Sequence, residues 1–281
     1  MKFSLVLCTI GRLKEVEDFL NSLLNQKVNY EIIIVDQNDS NELKERFEEN
    51  FSFLCDRTTY LKVKEKGLSK SRNLGLKYAS GDIVCFPDDD CIYSNDLLLR
   101  IEDYFLSNEV DVLSIKSVGN VEFLKNSEIK EQSKVTKCGI FSKIISYSMF
   151  FKAESIKNKR FDERLGVGSQ FGSTEESDFL LSVINDGYSV KYIPDLKVYH
   201  PEKIEDYNNL ERMKYYSLGV GAFYKKNMNA NNLKIAPLMI KSFLGPLCAM
   251  VIFKVRRKKK EYSWYREMFI SRASGFKNYE K

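Results

Sequence analysis

The feature that most constrains this chain is an alternation in its first hundred residues. Short, wholly apolar runs are separated by stretches that carry a helical stripe. Phe3–Cys8 is a run of β-formers. Ile32-Ile33-Ile34-Val35 and Ile83-Val84-Cys85-Phe86 are apolar at consecutive positions, the pattern of strands covered on both faces. Apolar residues at 13, 16, 19, 20, 23 and 24 mark one side of a helix over 12–25. Asn41–Asn50 is polar and helix-prone, and Thr59–Val63 suits a third strand. Ser69 is placed to cap a helix through Tyr78 that Gly81 closes. Ser94 or Asn95 caps another helix running to Leu106, and Val110–Ile115 returns as a strand. This order predicts an α/β fold, a mostly parallel sheet with helices on both faces. Such sheets bind ligands beyond the carboxyl ends of their strands.

Past residue 116 the pattern loosens. Phe141–Lys152 alternates as a strand does, Glu175–Asn185 reads as a helix, and Tyr188–Ile193 and Leu196–Tyr199 read as strands. Asp206–Met228 is a long helical stretch. Leu233–Phe253 is mostly apolar with Gly245-Pro246 in its middle, and Val255–Lys260 is a basic block. The expected organisation is one α/β domain over 1–228 and a C-terminal basic and apolar helical segment over 229–281.

Composition narrows the function classes. With 43% apolar and 30% charged residues, the 281-residue chain is neither disordered nor fibrous. No run reaches the length of about 18 apolar residues that marks a membrane span, and the first residues read as a strand rather than a signal peptide. The nearest pair of its six cysteines, Cys85 and Cys91, lacks zinc-site spacing, so reduced thiols are expected. Net charge is +5, with the excess of Lys and Arg gathered after residue 200 and an acidic lean before it. A basic tail on an acidic body points to an anionic surface rather than to nucleic acid.

Four groups of residues carry possible chemistry. Asp36 closes the second strand, and Asp88-Asp89-Asp90 closes the fourth. Adjacent carboxylates repel, and a divalent cation carrying phosphates relieves them; a solvated acidic turn accounts for the triplet alone equally well. Gly67-Leu68-Ser69-Lys70-Ser71-Arg72-Asn73 starts a helix with Lys70 and Arg72 in its opening turns, suited to phosphate, although it lacks P-loop spacing. Thr174-Glu175-Glu176-Ser177-Asp178 reads either as a helix start that Thr174 caps, with acids matched to its dipole, or as a carboxylate placed for general-base work. His200, the single histidine, follows a strand, and imidazole beside carboxylates suits Mn²⁺.

In this order the groups resemble family-2 glycosyltransferases of the GT-A fold, over about residues 3–228. The resemblance implies transfer of a sugar from a nucleotide donor, a UDP-sugar foremost, to an acceptor hydroxyl with inversion at the anomeric carbon. It implies that Thr9 and Arg12, from the opening Cys8-Thr9-Ile10-Gly11-Arg12, bind donor together with Asp36, Gly67, Lys70, Arg72, Asn73, Asp88 and Asp89. Asp36 is expected to accept from the uracil imide. Asp88 and Asp90 match the DxD motif and are expected to hold Mn²⁺ or Mg²⁺, with His200 a third ligand by order. Glu176 stands where the family has the second acid of an ED pair and is the expected catalytic base. Glu175, Asp178 and, in the 161–168 segment, Gly168 are expected on the acceptor side.

The resemblance further implies a lipid-linked glycan acceptor in O-antigen or capsule synthesis, and a cytoplasmic location at the inner face of the plasma membrane. Residues 242–253 are an apolar stretch beside Lys254 and the basic block, the composition of peripheral contact with an anionic membrane; two helices packed on the catalytic domain are the other reading. Two rival functions share these residues: a nucleotidyltransferase acting on a sugar phosphate, and a catalytically silent nucleotide-sugar-binding module.

Overall fold

A computed structural model describes residues 1–124, 133–141, 144–201, 207 and 209–280. It divides into two compact units. The first is made of residues 1–66, 70–160 and 182–202, the second of 67–69, 161–181 and 203–281.

The first unit is built on a mixed, mostly parallel sheet. Its strands among the described residues are β1 (Lys2–Thr9), β2 (Asn29–Asp36), β3 (Thr58–Lys62), β4 (Ile83–Cys85), β5 (Val112–Val118), β6 (Ser133–Lys134), β7 (Met149–Lys152) and β8 (Val190–Tyr199). They lie in the order β3-β2-β1-β4-β7-β5-β8-β6. β1 pairs in parallel with β2 and β4, β2 with β3, and β5 with β8. β7 is antiparallel to both β4 and β5, so β5 runs the same way as β4. The carboxyl ends of β1, β2, β4, β5 and β8 therefore share one edge. The chain leaves β1 toward β2 and β3, then returns to the other side of β1 as β4, which makes the β1–β4 border a switch point.

The helices of this unit are α1 (Lys14–Leu23), α2 (Glu42–Asn50), α4 (Leu97–Ser107) and the short α5 (Ala153–Ile156); α3 (Leu68–Leu76) and α6 (Glu175–Asn185) each have one end in it. Side chains alternate along β1. Phe3, Leu5 and Leu7 join a core with Val16, Phe19 and Leu20 of α1, Leu43 and Phe47 of α2, and Leu98 and Ile101 of α4. Val6, Ile33 and Val35 point the other way, against Gly75 of α3, where a Cβ would fall 2.4 Å from Val6. Helices cover both faces, which is why the strand sequences are apolar throughout.

Several local expectations shift. α1 is shorter than its stripe, and Leu24 lies beyond it, exposed. α3 begins at Leu68, ahead of Ser69, and ends at Leu76. Gly81 closes no helix; it permits a close approach, since a Cβ there would sit 2.6 Å from the Lys2 carbonyl oxygen. α4 starts at Leu97, and its preceding Asp96 makes no side-chain cap. Of the strand expected over Phe141–Lys152 only Met149–Lys152 forms, with 142 and 143 outside the described residues. The two strands expected over 188–199 are one, β8. Its register against β5 jumps between Ile193 and Lys197, and this irregularity accommodates Pro194, which has no N–H to give.

The second unit contains α7 (Leu210–Asn227), α8 (Ala236–Val255) and α9 (Lys259–Asn278). The helix expected from Asp206 begins at Leu210; 206 and 208 lie outside the described residues. α7 and α9 touch backbone to backbone at two glycines. A Cβ on Gly221 would lie 2.0 Å from the Arg272 carbonyl oxygen, and one on Gly275 2.0 Å from that of Leu218. Pro246 lies inside α8 and cannot bond the Ser242 carbonyl one turn back. The Arg272 guanidinium of α9 donates to that freed oxygen instead.

Candidate active site

The carboxyl edge of the sheet gathers the acids. At the end of β2, Asp36 is fully buried. Its Oδ1 accepts from the backbone and side-chain amides of Asn38, both at 2.8 Å. Its Oδ2 accepts from the Tyr60 hydroxyl at 2.7 Å and the Lys62 ammonium at 2.9 Å. Lys62 is the register partner of Asp36 across β2 and β3, so strand pairing itself delivers the cation. Four donors match the roughly four lone-pair sites of a carboxylate.

The Asp88-Asp89-Asp90 turn follows β4 and faces the loop after β1. Asp89 accepts from the Thr9 hydroxyl at 2.7 Å and from Arg12 at 2.8 Å. Burial nevertheless dominates and pushes its carboxyl up to about 6, with Thr9 and Arg12 opposing. Asp90 is the reverse case. Burial raises it, but His200 and Arg12 outweigh burial and hold it at about 2. Arg12 also pairs with Asp90. Two neighbouring acids thus sit on opposite sides of the usual range.

Asp88, Asp90 and His200 form a cluster whose ligand atoms all lie within 4.8 Å of one another. His200 Nε2 is 3.1 Å from Asp90 Oδ1 and 3.7 Å from Asp88 Oδ2. Its Nδ1 is 2.8 Å from the Pro201 carbonyl oxygen, which only accepts, so Nδ1 carries a proton and Nε2 is the nitrogen turned to the carboxylates. With the ring neutral, Nε2 and the two carboxylates are three acceptors facing one another, an arrangement that a cation between them relieves. An octahedral ion with bonds of about 2.1 Å has edges of about 3 Å, close to the separation of His200 and Asp90. Two carboxylates and an imidazole suit Mn²⁺ or Mg²⁺, so these residues fit such an ion.

Tyr147, Ser117 and Ser146, which no motif singled out, surround this cluster together with Arg72. Tyr147 stacks flat on His200, with ring centroids 4.3 Å apart and planes 2° apart, and its hydroxyl meets Ser117 Oγ at 3.0 Å. Arg72, 1% exposed, donates to Ser146 at 2.9 Å and lies 3.4 Å from Asp88. Lys70 is not drawn in; it is exposed and pairs with Glu65. Asn73 is buried and lines a cavity of about 470 Å³ whose other walls include Lys77, Val84, Ile156 and Arg160.

The remaining expected residues lie in the second unit. Gly67, Gly166 and Gly168 have φ of 140°, 98° and 83°, conformations that favour glycine. Leu68 donates its amide to the Val167 carbonyl, and the Ser69 hydroxyl donates to that of Leu165. The Gly168 amide donates to the Tyr215 hydroxyl at 3.0 Å. Thr174 is no side-chain cap. Its φ is 71°, a strained value for a β-branched residue, and its hydroxyl lies 3.0 Å from the Gly219 carbonyl it donates to. Glu175 is buried, its carboxylate 3.1 Å from where a Cβ on Gly166 would stand. Glu176 is half-buried. Asp178 has both oxygens engaged by α7, with Lys226 at 2.7 Å and Asn227 at 2.8 Å. Lys226 also bonds Asp162, which accepts from Arg164 and Tyr279 as well.

Comparison with known proteins agrees with this architecture. The chain is 26% identical over 213 residues to the poly(ribitol-phosphate) beta-N-acetylglucosaminyltransferase TarS of Staphylococcus aureus, covering 73% of this chain and 36% of TarS. It is 24% identical over 194 residues to the minor teichoic acid biosynthesis protein GgaB of Bacillus subtilis, covering 60% and 22%. It therefore spans about a third or less of these curated relatives. Among solved structures, S. aureus TarS 1-349 in complex with UDP-GlcNAc matches with a TM-score of 0.60 and 19% identity over 98% of this chain and 92% of that one. The mannosyltransferase PcManGT of Pyrobaculum calidifontis, in complex with GDP-Man and Mn²⁺, matches with a TM-score of 0.66 and 14% identity over 99% and 88%. These likenesses give the fold as that of GT-A glycosyltransferases. The model described as glycosyl transferase family 2 matches residues 4–165, more than half of the sequence, and the chain belongs to that family.

Proposed function

We propose that this protein transfers a sugar from a nucleotide-sugar, a UDP-sugar first, to a hydroxyl of a cell-surface glycan acceptor, with a divalent ion and inversion of the anomeric centre. The observation that carries the reading is the Asp88–Asp90–His200 cluster at the carboxyl edge of the sheet, whose possible ligand atoms all lie within 4.8 Å of one another. Asp88, Asp90 and His200 would hold Mn²⁺ or Mg²⁺. Held there, such an ion would supply positive charge against the donor diphosphate.

The chain's own groups divide the remaining work. Arg12 and Arg72 are cations already positioned against the acid turn and face the phosphates, with Thr9 and Asp89 holding Arg12's side of the turn and Asn73 and the Gly67 bend shaping the donor side. Lys70 reaches the donor by leaving Glu65. Asp36 meets the base by exchanging one of its four donors. Glu176 takes the proton from the acceptor hydroxyl while that oxygen attacks the anomeric carbon and the nucleoside diphosphate departs. Of the two adjacent acids it is the one left accessible, Glu175 being buried. Glu175 and Gly168 belong to the acceptor side, where Asp178 contributes by tying the start of α6 to α7.

TarS is named for poly(ribitol-phosphate) and GgaB for minor teichoic acid biosynthesis, which supports an acceptor among surface glycans; the acceptor is lipid-linked, a capsule or O-antigen intermediate, and is met at the cytoplasmic face of the membrane. The test is nucleotide release across a panel of UDP-, GDP- and dTDP-sugars with Mn²⁺, with and without polyol-phosphate and lipid-linked acceptors. Acceptor-dependent release of nucleoside diphosphate supports the proposal. Pyrophosphate release from a nucleoside triphosphate and a sugar phosphate would replace it with a nucleotidyltransferase, and donor binding without turnover with a silent binding module.

A further inference from the structure

α8 is apolar around its whole circumference, the composition of a buried helix, yet only 11% of its most apolar window is buried. Its exposed residues fall on one side. Ile240, Leu244, Val251, Ile252 and Val255 are 53%, 52%, 64%, 47% and 78% exposed, and they recur at the helical period. The other side of the helix is occupied within the second unit. Phe243 meets Tyr224 of α7 and Phe269 and Phe276 of α9, Phe253 stacks on Tyr265 of α9, and Arg272 bonds the Ser242 carbonyl. The exposed apolar stripe ends in a run of exposed cations, Arg256, Arg257, Lys258, Lys259 and Lys260, after Lys254.

We infer that the outer side of α8 and this basic run dock on the surface of an anionic lipid bilayer, with the helix axis in the plane of the membrane. Charge complementarity selects the occupant. Apolar side chains enter the acyl boundary while cations beside them meet anionic headgroups, each worth a definite increment of binding. A second copy of the chain would bring a second cationic run toward the first. The helix, about 30 Å long at 1.5 Å per residue, has the length to cross a bilayer, but α9 lies against it from residue 242 to 253 and carries Arg266, Glu267 and Arg272. A helix fixed along its length to so polar a partner stays at the interface. Lys241, alone among the apolar residues of the stripe, is long enough to raise its ammonium to the headgroups.

The test is flotation of the full chain with vesicles of phosphatidylcholine alone or mixed with phosphatidylglycerol. Deleting 238–281 would strip α9 from α7, so substitutions serve better. The wild type is expected to float with the anionic vesicles and to be released by salt. Val251→Asp with Val255→Asp is expected to lower partitioning more than about ten-fold, and Arg256→Gln with Lys259→Gln and Lys260→Gln about a hundred-fold on anionic vesicles. If the double variant melts early, Val255→Asp alone, at the most exposed site, gives the same reading. A wild type that does not float, or variants that float as well as it does, overturns the inference. So does a chain that salt and alkaline carbonate cannot release, which would be spanning. Dimers that dissociate in the Val251/Val255 variant, with vesicles left unbound, would assign the stripe to a second copy. None of these outcomes depends on nucleotide release, so docking and transfer are judged separately.

Discussion

Tyr147 offers a sharp test of the cation cluster, because its ring stacks on one of the three residues that would bind the ion. Its ring lies flat on His200 at 4.3 Å, and such a pair contributes about 0.5–1.5 kcal/mol beyond its buried area. Without the ring, the imidazole keeps the bond from Nδ1 to the Pro201 carbonyl but loses the plane that fixes its tilt, and Nε2 gains orientations that miss Asp88 and Asp90. A loss of about 1 kcal/mol in preorganisation is about a five-fold loss of affinity. Tyr147→Leu should therefore weaken Mn²⁺ about five- to ten-fold, while Tyr147→Phe, which keeps the stack and loses only the Ser117 contact, should cost about two-fold. His200→Ala should cost more than either. The assay is Mn²⁺ titration followed by electron paramagnetic resonance with UDP present, and a thermal melt of each variant checks the fold. Wild-type affinity in Tyr147→Leu beside a weakened His200→Ala would refute the positioning argument. Wild-type affinity in His200→Ala would remove His200 from the ligand set.

Glu176→Gln should abolish acceptor-dependent transfer and leave donor affinity within about two-fold, since the change removes a proton acceptor and little volume; turnover like that of the wild type would show another base. Gly275→Ala puts a Cβ 2.0 Å from the Leu218 carbonyl oxygen and should cost about 3 kcal/mol through the shift it forces between α7 and α9, read as an earlier denaturation midpoint; an unchanged midpoint would mean the crossing is loose. Burial raises the Asp162 carboxyl, but bonds from Arg164, Lys226 and Tyr279 overcome it and hold it well below the usual carboxylate range. The group therefore stabilises the fold above its unfolded value of about 3.9, and that stability fades as pH falls below it. Asp162→Asn should lower stability at neutral pH and flatten the acid limb of a stability-against-pH curve; parallel curves for the two proteins would show that the carboxylate is not the group titrating there.

The sequence was most legible where an apolar run meets a polar residue. Asp36, the Asp88-Asp89-Asp90 turn and His200 each follow such a run, so strand ends and candidate ligands were readable together. The α6 helix over 175–185 was readable with its bounds. What supports these residues was not. Lys62 meets Asp36 only through strand register, and Tyr147 meets His200 from a turn at Ser146–Ser148, where the alternation of Phe141–Lys152 suggested a strand. Capping signals misled at Ser69 and Thr174, because tertiary partners, the Leu165 and Gly219 carbonyls, took the hydroxyls that local rules assign to helix starts. Asp178 sits in a motif suggestive of chemistry, yet Lys226 and Asn227 claim it from more than forty residues away. The exposure of α8 was equally hidden, since its composition is the same for a helix inside a core and a helix at its edge.

Asp36 has its full complement of donors before any nucleotide arrives. A base that presents an N–H there trades one bond for another of similar strength, so the correct base gains little and a wrong one, which displaces a donor and gives nothing back, is penalised. On the proposed reading, in which Asp36 meets the base, fidelity at this strand end is a matter of rejection. The grip on the donor has to come from its charged end, so nucleotides stripped of their phosphates should be held poorly whatever base they carry.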